Sequence, residues 1–163
     1  MLLKERRLPR LRGFDYSSEN YYYVTICTKN RINYLGKILN GEMFLNQYGE
    51  IVQNQWKWLQ NQYKYVYLDE YIIMPNHLHG IIYISHEGKG RDPSLHRDKI
   101  KPLPELIGAF KTTSSKLIHQ NKLTKFKWQN SFHERIIRND KGLNNIRNYI
   151  KNNPLNWELD ELR

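Results

Sequence analysis

The sequence predicts an α+β fold, a central antiparallel sheet with helices packed on it. Runs rich in β-branched and aromatic residues alternate with segments whose apolar residues recur at helical spacing. Short turn signals, Asn40-Gly41 and Pro75-Asn76, join neighbouring strands. At 163 residues the chain is long enough for one domain with a real core.

Residues 1–20 are basic and polar without a clear period, and read as an arm preceding a single domain over 21–163. Tyr21 to Thr28 is strand-like. Leu35 to Leu45 has the form strand, Asn40-Gly41, strand, a strong hairpin signal. From Gln47 to Tyr63, the residues Ile51, Val52, Trp56, Leu59 and Tyr63 predict a helix. Tyr65 to Met74 and Leu78 to Ser85 are two further strands around the Pro75-Asn76 bend. A long loop follows at about 85–102, punctuated by Gly88, Gly90, Pro93 and Pro102. Leu103, Ile107, Phe110, Ser114 and Leu117 predict a second helix. Phe132 to Arg138 is a short strand. Asp140 is the expected N-cap of a last helix that runs to about Asn152, where Pro154 stops it.

The chain carries 26 Lys and Arg against 16 Asp and Glu, a net charge of +10. That excess favours a polyanionic partner and argues against an enzyme of small metabolites. No apolar run approaches the ~20 residues needed to span a bilayer, so no membrane partner is expected. Five basic residues in Met1 to Arg12 lack a following apolar core, so the start does not read as a secretion signal. The single Cys27 excludes an intrachain disulfide, fits a reducing cytoplasm, and reads as buried packing. Aromatic residues make up 13% of the chain, enough for some to stack on unpaired bases beside a cationic groove.

Met74-Pro75-Asn76-His77-Leu78-His79-Gly80 carries the sharpest chemical signal. Side chains two apart on a strand share a face, so His77 and His79 project together while Leu78 points into a core. Two such imidazoles can hold one metal ion, which can polarise a phosphodiester. The pair alone equally fits two hydrogen-bonded bystander histidines, and a third donor is needed to complete a site. Gly80 permits a close approach.

On the last helix, Leu143, Ile146 and Ile150 form the apolar stripe. Tyr149 lies roughly 90° from its middle at ~100° per residue, at the edge of the buried face. Asn153 is four residues on and shares its side, although a residue before proline is biased away from the α conformation. The two residues could face one metal-bound phosphate, or be a boundary tyrosine and a helix-closing amide. Basic residues gather in two groups, Lys111, Lys116, Lys122, Lys125 and Lys127, then Arg135, Arg138, Arg147 and Lys151. His133 and Glu134 are candidates for secondary roles, whereas His86, His96 and His119 have no motif partner.

Four segments now stand in a telling order: Tyr22-Tyr23-Val24-Thr25-Ile26-Cys27-Thr28, the His77-Leu78-His79 motif, Trp128-Gln129, and Tyr149-Ile150-Lys151-Asn152-Asn153-Pro154. In this order the chain resembles the REP-associated tyrosine transposases, relatives of the single-tyrosine, His-hydrophobic-His (HUH) transposases of IS200-like type. Arg12-Gly13-Phe14-Asp15-Tyr16-Ser17 also looks like their N-terminal segment. The resemblance covers nearly the whole chain.

It implies a ferredoxin-like (RRM-like) sheet with the His pair on a central strand. It implies His77, His79 and Asn153 as ligands of Mg²⁺ or Mn²⁺, and Tyr149 as nucleophile. The substrate would be single-stranded DNA folded into a hairpin, cleaved and rejoined through a 5′-phosphotyrosine. DNA contacts are expected from Arg12, Lys111, Lys116, Arg135, Arg138, Arg147 and Lys151. Monomer and homodimer both stay open, in a cytoplasmic, nucleoid-associated protein. Two other readings remain: a nucleic-acid-binding module without chemistry, and a replication initiator or relaxase.

Overall fold

The computed structural model describes residues 10–87, 100–159 and 162–163. Most of the expected loop at about 85–102, with His96, and the first half of the basic arm lie outside the described residues. Six strands and three α-helices follow the predicted order. They are β1 (Asn20–Cys27), β2 (Gly36–Leu39), β3 (Glu42–Leu45), α1 (Gln47–Gln62), β4 (Val66–Ile73), β5 (His77–Ile84), α2 (Leu103–Gln120), β6 (His133–Ile137) and α3 (Asp140–Asn152).

Four strands form one antiparallel sheet in the order β4-β5-β1-β6. With α1 between β1 and β4 and α2 between β5 and β6, this is the ferredoxin-like arrangement, extended by a hairpin and a last helix. The hairpin β2-β3 turns at Asn40 (φ 50°) and Gly41 (φ 74°). Two consecutive positive φ values define the turn that matches strand twist, which is why Asn-Gly predicts it.

The sheet's two faces are covered differently. Tyr22, Val24, Ile26, Leu78, Ile82 and Ile84 pack against Val52, Trp56 and Leu59 of α1 and Leu106, Ile107 and Phe110 of α2. The other face carries Ile81 and Ile137 under Leu143, Ile146 and Ile150 of α3, so the stripe predicted for the last helix is its buried side. Each fully buried aliphatic side chain contributes about 1.5–3 kcal/mol.

Two ion pairs fasten α3 to β4. Arg147 grips Asp69 with both prongs of its fork, Nε to Oδ1 at 2.7 Å and Nη2 to Oδ2 at 2.6 Å. Its guanidinium holds the Asp69 carboxyl below the usual carboxylate range. Lys151 lies 3.4 Å from Glu70.

Three expectations change in detail. Asn139, not Asp140, caps α3, and its Oδ1 accepts from Gly142 N at 2.7 Å. A cap side chain must stand one residue outside the first helical turn, and Asp140 is already inside it. Asn153 keeps αR geometry (φ −59°, ψ −42°) despite the following proline, held by its N–H on the Ile150 carbonyl at 3.2 Å. The end of the arm is not free: Tyr16 is buried in the core, and its hydroxyl donates to Glu134 at 2.7 Å.

Gly80 permits a close approach, but of α1 rather than of a ligand. A Cβ there would stand 2.5 Å from Cζ2 of Trp56, which is fully buried. Gly80→Ala must push the indole or the strand, and is expected to cost about 1–3 kcal/mol. Urea unfolding measures this, and an unchanged midpoint would show that the helix yields freely.

Candidate active site

The alternation of β5 places His77 and His79 on the α3 side of the sheet. Thr25 of β1 sits opposite His79 and Cys27 opposite His77, while Thr25 also faces His133 of β6. Cys27 is buried, as expected. Both histidines are essentially inaccessible, at 0% and 2% exposure.

Their Nε2 atoms face each other at 3.0 Å. The surrounding hydrogen bonds fix what those nitrogens carry. Asn76 donates through Nδ2 to the carbonyls of Arg31 (3.2 Å) and Leu162 (2.6 Å). Its Oδ1 therefore points at His77 Nδ1, 2.7 Å away, and that nitrogen must carry the hydrogen. In neutral His77, Nε2 is then a bare lone pair aimed at His79.

His79 Nδ1 lies 2.9 Å from both Tyr23 Oη and Thr25 Oγ1. Hydroxyls both donate and accept, so they suit either tautomer of His79. With its hydrogen on Nε2, His79 donates to His77. With the hydrogen on Nδ1, two lone pairs converge, an arrangement that only a cation makes favourable. Outer hydrogen bonds of this kind orient metal-binding histidines.

Burial, and secondarily the charge of His77, hold the His79 imidazole well below the usual histidine range. It stays neutral, as a ligand must. The unfolded chain takes up a proton near pH ~6.5 while folded His79 does not. The unfolded state then binds more protons, so this contribution is full above about pH 6.5 and lost as the pH falls toward the lowered folded value. We expect stability to drop by up to about 1.4 kcal/mol per pH unit in that window, and less in His79→Asn. Urea unfolding across it decides, and equal slopes in the two proteins would contradict the assignment.

Helix α3 brings Tyr149 over the pair. Its ring centre is 5.4 Å from that of His79, edge to face, and the residue remains 48% exposed, as its place at the stripe's edge predicts. Asn153, one turn on, is 2% exposed, and its Oδ1 has no hydrogen-bond partner among the described residues. A buried amide oxygen without a partner costs about 1–3 kcal/mol, so it points to a ligand. Tyr149, Asn153, His79, His133, Tyr23 and Thr25 line one cavity of about 520 Å³. Leu159 and Leu162 border it as well, and Trp157 stacks on the His77 ring at 6.2 Å.

The donor set, two imidazole nitrogens and an amide oxygen, fits a small divalent ion. Among the described residues no three His, Cys, Asp or Glu side chains group to offer an alternative. Mg²⁺ favours all-oxygen sites, so the imidazoles tilt the preference toward Mn²⁺.

The expected DNA-contacting residues divide. Arg135 and Arg138 are exposed on and beside β6, whose first residue, His133, reaches the cavity. Arg12 is exposed in the arm. Arg147 and Lys151 are engaged by Asp69 and Glu70. Lys111 and Lys116 belong to α2, which covers the opposite face of the sheet. Lys111 donates to the carbonyls of Gln129 (2.7 Å) and Ser131 (3.0 Å), and burial lowers its pKa to about 8. Asn76, Tyr23, Thr25 and Trp157 escaped the sequence reasoning. The signals that could have found them were the adjacency of Asn76 to His77 and the place of Tyr23 and Thr25 in the Tyr22–Thr28 segment.

No family model matches the chain. A Haemophilus influenzae protein of uncharacterized function is 36% identical over 169 residues, covering 98% of this chain and 94% of that one. Among solved structures, a REP-associated tyrosine transposase bound to a REP hairpin superposes with a TM-score of 0.64 at 17% identity, over 94% of this chain and 77% of that one. A Deinococcus radiodurans protein assigned to the transposases superposes with a TM-score of 0.52 at 14% identity, over 89% and 97% of the two chains. Among the described residues, no helix is long and apolar enough to cross a membrane.

Proposed function

We propose that this chain, which belongs to one family with the Haemophilus influenzae protein and has the fold of the REP-associated tyrosine transposase, cleaves and rejoins single-stranded DNA through Tyr149. The observation that supports the reading is that Tyr149, His79 and Asn153 line one cavity, with His77 against His79 and the Asn153 oxygen without a partner among the described residues. The hairpin held by the structural relative suggests a folded single strand as substrate.

The residues divide the chemistry. Tyr149 Oη attacks the scissile phosphorus, and the bond from phosphorus to the 3′ oxygen breaks. A 5′-phosphotyrosine forms, the phenolic proton passes to solvent, and the departing 3′ oxygen is protonated. A free tyrosine is only ~0.1% ionised at neutral pH, so the phosphate must be activated. A divalent ion held by His77, His79 and Asn153 would draw charge from that phosphate. Helix α3, fixed to β4 by Arg147 and Lys151, keeps the phenol at the site. The phosphotyrosine retains the energy of the phosphodiester, so a 3′ hydroxyl can reverse the step and join strands without a nucleotide cofactor.

The test is a denaturing gel of the protein with labelled hairpin DNA taken from beside its own gene, with Mn²⁺ or Mg²⁺. A covalent adduct is expected. Binding without any adduct would leave a nucleic-acid-binding module.

A further inference from the structure

Three tyrosines stand side by side on neighbouring strands, Tyr67 on β4, Tyr83 on β5 and Tyr21 on β1, in register across the sheet. By the alternation of β5, Tyr83 shares the face of His79 and lies about 13 Å farther along the strand. The Tyr21 and Tyr83 rings stack with 4.5 Å between centres, and Tyr67 leans on Tyr83 at 6.2 Å with a 44° tilt. Tyr67 is 51% exposed, so much of its ring meets solvent. With Asp69, Ser85 and Glu87 the three rings border a cavity of about 310 Å³. It shares no lining residue with the active cavity.

The charge of this cavity is opposite to that of the chain. Among the described residues its lining holds Asp69 and Glu87 but no cation, in a protein of net charge +10. Arg147 reaches Asp69 from α3, but both prongs of its fork lie on that carboxylate. Glu87 is exposed and makes no ion pair among the described residues. Glu19 adds a third carboxylate beside Tyr83. It accepts the Tyr83 hydroxyl, and that hydrogen bond pushes the phenol up to about 12, so the ring stays neutral. A phenol that donates to a carboxylate is richer in electrons over its ring faces, the faces that attract cations. Unpaired bases also stack on exposed tyrosines, but their phosphates need cations beside the rings, and carboxylates repel them. A guanidinium suits both halves of the site. It is flat enough to stack on an aromatic face, and its N–H fork matches a carboxylate.

We propose that this cavity docks a basic segment of a partner protein, stacking an arginine guanidinium on the open face of Tyr67 with its fork on Glu87. The occupant is a polypeptide with exposed arginines, chosen by charge complementarity, and not a nucleic acid. A partner held here leaves the active cavity open, and the proposal does not depend on strand transfer.

The test follows the tyrosine ring resonances of the full chain, isotope-labelled at tyrosine, as acetyl-Gly-Arg-Arg-Gly-amide is added. Saturable shifts are expected at Tyr67 and Tyr83. The same peptide with citrulline for arginine keeps the shape without the charge, and should bind at least about fivefold more weakly. Tyr67→Ala, read at Tyr83, and Glu87→Gln should each weaken the arginine peptide about threefold or more. Both positions are exposed, and urea unfolding checks that the variants fold. Glu50→Gln, which removes the same charge from an exposed position of α1, should bind as the parent does. The proposal falls if no tyrosine shift saturates, if citrulline binds as well, or if Glu50→Gln loses as much as Glu87→Gln. It falls too if thymidine monophosphate binds these rings more tightly than the peptide, which would make the cavity a base-stacking site. Binding that appears only in Lys89→Ala/Arg91→Ala would give the cavity to this chain's own residues and likewise overturn it.

Discussion

Tyr149→Phe will form no covalent adduct with hairpin DNA, a loss of at least about 10³-fold in cleavage, while binding stays within about twofold. The hydroxyl is the only group removed. The ring that meets His79 edge to face remains, and so does the apolar stripe of Leu143, Ile146 and Ile150 that seats the helix. At a half-exposed position, removing one hydroxyl should change stability by less than about 0.5 kcal/mol. Folding is therefore not an alternative explanation for lost cleavage. A variant that still yields an adduct would transfer the nucleophile to another residue. Tyr23 is the nearest candidate, because its hydroxyl lies 2.9 Å from His79 Nδ1. It faces the outer nitrogen of that ring, however, away from the Nε2 pair where a bound phosphate would be polarised. Running Tyr23→Phe in parallel separates the two tyrosines.

How much of this arrangement the sequence announces depends on the range of the interaction. The period of two puts His77 and His79 on one face, and the period of 3.6 puts Tyr149 at the edge of its helix. Both are local consequences of backbone geometry and hold in the structure. The Asn40-Gly41 hairpin is legible for the same reason. Strand order is not local. Only the pairing of β1 with β5 brings Tyr23 and Thr25 to the back of His79, and no spacing in the chain encodes it.

The basic residues show the same limit. Arg147 and Lys151 look like their exposed neighbours until β4 delivers Asp69 and Glu70 to them. Charge counting then overstates what is free for DNA, and Arg135 and Arg138, with no ion pair among the described residues, matter more than their number suggests. Asp140 is the expected cap, but Asn139 beside it is an equally good capping type. Only the direction of the preceding chain decides between them.

The metal question has a test that needs no DNA. Mn²⁺ binding, followed by calorimetry or by the quenching of its free-ion spin signal, should fall at least about 100-fold in His77→Ala, since the proposed site has three protein donors and the variant removes one. Asn153→Asp makes the sharper statement, because a purely structural asparagine predicts the opposite sign. Asn153 Oδ1 is buried and without a partner among the described residues, so a carboxylate there adds a charged oxygen beside the imidazole nitrogens. Hard cations gain most from that change. Mg²⁺ affinity should therefore rise by about tenfold or more, with Mn²⁺ gaining less. Without metal, the same variant buries a carboxylate that no cation compensates, and it should melt several degrees below the parent. With saturating Mg²⁺ it should recover and exceed it, because binding to the folded state alone adds RT ln(1 + [L]/Kd). If Asn153→Asp is destabilised equally with and without metal, the amide oxygen is not a ligand. Asn153 would then be a helix-closing residue, and the His pair would have to find its third donor elsewhere.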